Sequence, residues 1–373
     1  MSLRREFVEQ ALTIPEESSR TFAELCRQFG ISRKTGYKWL SRYRQEGLPG
    51  LQERSRRPHQ SPNQTPPQVE EQIVAVRTAH PAWGGRKIAA FLRRQQAQPV
   101  PHPSTVTAIL RRRGLIDPQE AAKHRPYRRF ERSAPNELWQ MDFKSPLHLL
   151  DGTTVYPLTV LDDHSRYLLA VRLCPAADLE EVVPILTEVF REFGLPDALL
   201  KDNGPPWGDG GHDRYTALEV WLIRLGIKPL RSRPYHPQTL GKDERLHRTM
   251  EEELIARAGP WADRETAQAA FAAWREVYNT QRPHEALGGA VPADRYLPSS
   301  RRWEGDLPPL AFPGHALVRK VDRAGYVYLR GQRYKVGRGL AGESVGLVVG
   351  EEPGTWHVYL GSTRLSRLVI REP

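Results

Sequence analysis

The residues with most chemistry to offer are four acids: Asp142, Asp202, Asp243 and Glu244. Two of them fall in the stretch RSRPYHPQTLGKDERLHRTMEEEL, residues 231–254, where Gly241 follows a turn rich in Pro and His and releases a helix. Asp243 and Glu244 sit in its first turn among Lys242, Arg245, His247 and Arg248. An acid on a rigid helix beside cations can bind a metal next to a phosphate. Charge runs alone are usually solvated faces, so this reading needs upstream acids that end strands of one sheet. In LWQMDFK, Trp139, Met141 and Phe143 alternate with Gln140, Asp142 and Lys144 as the two faces of a strand. Asp202 ends the short strand of DALLKD, before Asn203-Gly204.

The elements that must position these acids follow from periodicity. Strands are expected at Leu138–Lys144, Val155–Leu161, Tyr167–Leu173, Asp197–Asp202 and Ile227–Ser232, with amphipathic helices at Leu179–Phe193 and Tyr215–Leu225 and the Gly241 helix last. The order β-β-β-α-β-α-β-α describes an α/β domain with a five-stranded mixed sheet. Asp162 and Asp163 close its second strand and read as turn residues. Arg282 and His284 read as ties on the last helix.

The rest of the chain frames this core. Net charge is +11 over 373 residues, which favours a polyanionic partner. No run of about 18 apolar residues is present, and the first residues lack an apolar signal core. Cys26 and Cys174 are too few for a disulfide framework or a Cys-rich zinc site. A cytoplasmic protein with no membrane partner is expected. Thr21-Phe-Ala-Glu24 is a capping box, Gly30-Ile31-Ser32 a tight turn, and the helix after it carries Arg33, Lys34, Tyr37, Lys38, Arg42 and Arg44. This describes a helix-turn-helix with a basic second helix. A Pro/Ser/Arg-rich linker with Arg54, Arg56 and Arg57 leads to a second such unit, where Ser104 is the expected cap of a helix ending in Arg111-Arg112-Arg113. After Pro298, six short strands separated by Gly turns suggest a small β-barrel. The expected domains are 1–47, a 48–67 linker, 68–116, a 117–135 basic connector, the 136–298 core and 299–373.

Taken in order, Trp139-Gln-Met-Asp142, Leu161-Asp-Asp-His-Ser-Arg166, Lys201-Asp202-Asn203-Gly204, Pro234-Tyr-His-Pro-Gln-Thr239 and Gly241-Lys-Asp-Glu244-Arg245 carry a resemblance. So do Tyr278-Asn279-Thr-Gln-Arg282-Pro283-His284 and Pro292-Ala-Asp-Arg-Tyr296. The chain resembles the DDE transposases of bacterial insertion sequences, whose catalytic core has the ribonuclease-H-like fold of retroviral integrases. Asp202 and Glu244 stand 42 positions apart, longer than that family's usual spacing, with the surplus in GPPWGDGGHDR. The His/Cys zinc module of retroviral integrases is missing, so the bacterial branch fits better.

The resemblance implies that Asp142, Asp202 and Glu244 are catalytic and hold magnesium or manganese, as two ions about 4 Å apart that activate an oxygen nucleophile, relieve charge on the phosphate and support the leaving oxygen. Hard ions of this kind want oxygen ligands. Water would free a 3′ hydroxyl at the element's end, and that hydroxyl would attack a target phosphodiester, without ATP or a protein–DNA covalent bond. The implied partners are the element's terminal inverted repeats, target DNA and further copies of the chain. DNA contacts are expected from Arg33, Lys34, Tyr37, Lys38 and Arg42 in the first helical unit and from His236, Lys242, Arg245 and Arg248 around the acids. Two other functions compete: a catalytically silent DNA-binding regulator, and a ribonuclease-H-type nuclease without strand transfer. The full set of acids argues against the first, and two DNA-binding units argue against the second. Of the adjacent acids, Asp243 falls on the apolar stripe of Leu246, Met250 and Leu254, so Glu244 is the expected ligand.

Overall fold

A computed structural model describes residues 3–14, 21–53, 64–95, 100–116, 131–202, 207, 215–232 and 241–370. His236, Arg54, Arg56, Arg57 and most of the GPPWGDGGHDR segment lie outside the described residues. The chain forms two compact units, residues 1–64 and 65–373.

The first unit is three helices, α1 (Leu3–Leu12), α2 (Phe22–Gln28) and α3 (Arg33–Glu46), with a 3₁₀ turn at Leu48–Leu51. Thr21 and Glu24 form the reciprocal cap that starts α2, and the Ser32 side chain caps α3. Phe7, Val8, Leu25, Cys26 and Leu40 make its core. Gly36 lets α3 settle on the other two helices: a Cβ there would lie 2.7 Å from Cys26 Sγ and 2.9 Å from the Phe7 ring.

The second unit opens with α4 (Pro67–Ala79), α5 (Gly85–Arg94) and α6 (Pro103–Arg112), packed around Ile73, Trp83, Ile88, Val106 and Leu110. The cap of α6 is His102, not Ser104. Pro103 takes the first helical position, where a missing N–H does no harm, and this moves the start back.

The sheet that follows has strands β1 (Trp139–Phe143), β2 (Leu147–His148), β3 (Thr154–Asp162), β4 (Leu168–Cys174), β5 (Ala198–Lys201) and β6 (Lys228–Arg231). It runs β2-β3-β1-β5-β6, with β4 also on β3. β1, β3 and β4 pair antiparallel, and β5 pairs parallel with both β1 and β6. The expected five strands become six. β1 breaks at Lys144-Ser145-Pro146, and β2 resumes against β3 with its register shifted by one. Proline has no N–H to donate to a ladder.

Helices α7 (Leu179–Phe193) and α8 (Ala217–Arg224) cover one sheet face, through Trp139, Met141, Leu158, Val160, Phe190 and Leu222. The other face holds α9 (Gly241–Met250), a π-helical turn at Glu251–Ile255, the short α10 (Ala256–Ala258) and the long α11 (Arg264–Thr280). There Leu246, Met250 and Leu254 meet Leu161, Leu168, Val171 and Phe271. Alternation along β1 decides which residues meet which layer.

The last region corrects the expected barrel. All six strands form, but they do not close among the described residues. β7 (Leu317–Lys320), β10 (Ser344–Val349), β11 (Thr355–Leu360) and β12 (Thr363–Val369) make one antiparallel sheet, ordered β12-β11-β10-β7. β8 (Tyr326–Leu329) and β9 (Gln332–Lys335) pair only with each other. Both pieces share a core with Val220 and Ile223 of α8, so this region is packed against the catalytic-type domain.

Candidate active site

Sheet register brings the first two acids together. β1 and β5 run parallel with Gln140 opposite Leu200. Two residues further along both strands stand Asp142 and Asp202. β3 places Thr159 beside Asp142 on the other side. α9 crosses this end of the sheet, with Glu244 exposed in its first turn and Asp243 fully buried.

The field at the site is acidic. The Asp142 carboxyl is pushed up to about 6, first by burial and then by the charges of Asp202 and Glu244, against the pull of the Phe143 amide it accepts from. Among the described residues, no three His, Cys, Asp or Glu side chains converge closely enough to hold a metal ion. The three acids therefore share a field without sharing a centre. Their donor set is all oxygen, which suits magnesium or manganese.

Asp202 is held by a support that the sequence did not reveal. Ser232 Oγ donates to Asp202 Oδ1 at 2.8 Å. Glu219 of α8 is buried and pairs with Lys201 Nζ (3.0 Å) and with Arg231 (2.6 and 2.7 Å). Lys201 precedes Asp202 and Arg231 precedes Ser232, so one carboxylate ties together the ends of β5 and β6. The sequence marks Glu219 only as the capping-box partner of Thr216, a role it also fills. Lys201 Nζ further donates to the carbonyl of Trp207, whose ring stacks on Phe143.

His247 was a second omission. Thr159 has one hydroxyl proton and donates it to the Asp142 carbonyl (3.1 Å), so its oxygen accepts from His247 Nε2–H at 3.0 Å. That tautomer leaves Nδ1 bare, 4.0 Å from Asp142 Oδ2. Burial, then Lys144, pushes the imidazole down to about 4, so it is neutral near pH 7. The available signal was spacing, since His247 lies three residues after Glu244 on the same helix.

Other expected contacts separate into two groups. Arg245 and Arg248 are exposed on α9. Lys242, expected to grip DNA, instead turns inward: its ammonium pairs with the buried Asp163 carboxylate and donates to that residue's carbonyl at 3.1 Å. Asp163 also accepts from Gln140 Nε2 and the Arg132 amide, and Asp162 accepts from Ser165 and Asn136. Arg282 pairs with Glu253 and lies beside His284. In the first unit, Arg33, Lys34, Tyr37 and Lys38 are exposed on α3, with Arg42 half-buried. Tyr37 stacks on Phe22, and Lys38 and Arg42 flank the Trp39 ring.

Comparison with known proteins agrees along most of the chain. The integrase core domain family matches residues 132–237 and again 225–292. A helix-turn-helix domain matches 4–59, a homeodomain-like domain 35–110, and the C-terminal domain of IS481 family transposases 316–372. The insertion element IS407 protein of Burkholderia multivorans is 31% identical over 43% of this chain, and the match takes in 55% of that relative's length. The insertion element IS476 protein of Xanthomonas euvesicatoria is 24% identical over 74% of this chain and 78% of that relative. Among solved structures, a simian T-cell lymphotropic virus intasome chain aligns with 80% of this chain and 100% of its own length, at 12% identity and a TM-score of 0.38. No helix among the described residues is long and apolar enough to cross a membrane.

Proposed function

We propose that this chain, an insertion-element transposase by its helix-turn-helix domains and integrase core, binds the ends of its element and joins them to target DNA by 3′-hydroxyl transesterification. What supports the reading is that β1 and β5 carry Asp142 and Asp202 to the same end of the sheet and that the charges of Asp202 and Glu244 both act on Asp142. These three would hold magnesium or manganese. Bound there, the metal would supply nucleophile activation and relief of charge at the phosphate.

The chain's own residues have the remaining work. Glu219 and Ser232 hold Asp202 at the strand end. Thr159 orients His247 beside Asp142. Arg245 and Arg248 offer exposed cations for DNA phosphates on the helix that bears Glu244. In the first step a water oxygen bonds to phosphorus and the 3′ oxygen leaves as a hydroxyl. In the second that hydroxyl's oxygen bonds to a target phosphorus, and the target's own 3′ oxygen leaves. Bond count is conserved in the second step, so no external energy source is needed.

The test is a strand-transfer assay on duplex oligonucleotides carrying the DNA that flanks the gene, with magnesium or manganese. Joined products are expected, and none from Glu244→Gln. Cleavage without joining would favour a ribonuclease-H-type nuclease, and binding without either would favour a silent regulator. DNA contact by several copies of the chain at once is part of the same proposal.

A further inference from the structure

The helix that carries Glu244 does not end with α9. The π-helical turn at Glu251–Ile255 and then α10 continue it to Ala258. Such turns are rare and recur at functional sites. This one is anchored twice. Glu251 opens it and pairs with Lys144 (2.7 Å), which lies two residues past Asp142. Glu253, inside it, accepts from Arg282 Nε through both carboxyl oxygens (2.9 and 3.0 Å) and from Lys87 Nζ through one (3.3 Å). Lys87 belongs to α5 of the helical bundle, 166 residues earlier in the chain. Two more pairs dock α5 on the core: Arg86 with Glu285 (3.2 Å) and Arg94 with Asp294 (2.6 Å). Those two acids stand in 3₁₀ turns after α11, not on the helix of Glu244. Their pairs are also more open to water, and open pairs add little. The Lys87 and Glu253 side chains are 22% and 9% exposed, so theirs is the pair that can hold a geometry.

We propose that Lys87 is a positioning residue for the acid site: by holding Glu253 it fixes the helix that carries Glu244. The inference rests on the reading of Glu244 as one of three working acids, and it makes the α4–α6 bundle part of the active site's framework. A side chain on a helix is placed only as well as the helix itself. Glu253 lies nine residues past Glu244, about 13 Å along the axis at about 1.5 Å per residue, close enough for a tilt at one end to move the other. A misplacement of about 1 Å can cost about a hundredfold in rate. Lys144 ties the π turn to the strand of Asp142, and Lys87 ties it to the bundle. Glu244 keeps its place relative to Asp142 only while both ties hold. Arg282 cannot stand in for Lys87, because it ties Glu253 only to the segment after α11.

The test compares Lys87→Met with Arg94→Ala in the full chain, by strand transfer and by amide hydrogen exchange. Both changes remove one ion pair between α5 and the core, but only the first touches the helix of Glu244. Lys87→Met should lower kcat by about tenfold or more, with KM for the duplex within about twofold of the parent's. Exchange over Gly241–Met250 should quicken several-fold, a local loosening that a general loss of stability would not confine to that helix. Arg94→Ala should match the parent in both readouts. Lys87→Arg, which restores the cation, should recover most of the rate and of the protection. Arg282 still answers the Glu253 carboxylate in Lys87→Met, so the chain should fold, and a melt taken alongside checks this. Equal effects of Lys87→Met and Arg94→Ala, or unchanged exchange over α9 in Lys87→Met, would overturn the proposal. A parent that joins no DNA would defeat the joining reading, and exchange alone would then decide whether Lys87 holds α9.

Discussion

Lys201 and Asp202 are neighbours at the end of β5, yet their surroundings differ. Around Lys201, a buried glutamate meets a lysine and an arginine, so opposite charges answer each other. The same balance recurs at Asp163 with Lys242 and at Glu253 with Arg282 and Lys87. Around Asp142, by contrast, the neighbours Asp202 and Glu244 carry the same sign, and burial first and then those charges push its carboxyl up to about 6. Buried charges that serve a fold are paired, because removing one partner leaves a costly lone charge. Repelling acids kept at the end of a sheet are a liability to the fold, and such perturbed groups gather at functional sites. The balanced group builds the platform, and the unbalanced group is what it presents.

The largest effect should come from the unbalanced side. Asp142→Asn, Asp202→Asn and Glu244→Gln are each expected to lower strand transfer by at least about a hundredfold, while filter binding of end DNA stays near the parent's. Substantial joining by Asp202→Asn would break the contrast. On the balanced side, Glu219→Gln should lower unfolding free energy by about 3–5 kcal/mol, because Lys201 is left buried without its carboxylate. Urea denaturation reads this directly, and an unchanged midpoint would show that the clamp is dispensable.

A smaller effect sharpens the comparison by its sign. The folded-state value of Asp142 lies above an ordinary carboxyl's 3.8. Between that value and about 6 the folded chain holds more protons than the unfolded one. Stability therefore falls as pH rises through this window, and the loss persists above it. Asp142→Asn removes the loss, so at pH 7 without metal the variant should be more stable, by about 1–2 kcal/mol after allowance for partial exposure. Magnesium should raise the parent's melting temperature and leave the variant's unmoved. A variant that melts lower than the parent would contradict the repulsion.

What could be read from sequence was whatever is carried by local pattern. Alternation in Trp139–Phe143, the Thr21–Glu24 box and the helix bounds Leu179–Phe193 each depend on residues a few positions apart, and all three appear as expected. Long-range pairing was not legible. Lys242 looks like a free cation because its partner Asp163 is 79 residues away. The six C-terminal strands were found, but nothing in their sequences says that β8 and β9 pair only with each other, so a barrel was expected where a sheet and a hairpin stand. Glu219 and His247 were passed over for the same reason: one also serves a local cap, and the other meets Thr159 only in the folded chain.

The finest distinction lies between the two adjacent acids of α9, and its expected effect on activity is the smallest. Asp243 is fully buried, and neither carboxyl oxygen has a hydrogen-bond partner among the described residues. Burial first, then Asp142 and Asp163, raises its pKa well above the ordinary value. Glu244, one residue on, is exposed, and its charge acts on Asp142. The apolar stripe explains the split, since Leu246 and Met250 turn Asp243 inward with them. Asp243→Asn should therefore keep joining activity within a few-fold of the parent. Its stability should also hold, because an amide carries no charge into that interior. A raised folded-state pKa means the parent loses stability as pH climbs from the ordinary carboxyl value toward the raised one, whereas the variant does not. The variant's melting temperature should accordingly gain on the parent's as pH rises above the ordinary carboxyl range. Strand transfer and melts across that range decide the matter. A dead Asp243→Asn protein with an unchanged melt would place the reacting acid at 243 and undo the assignment of Glu244.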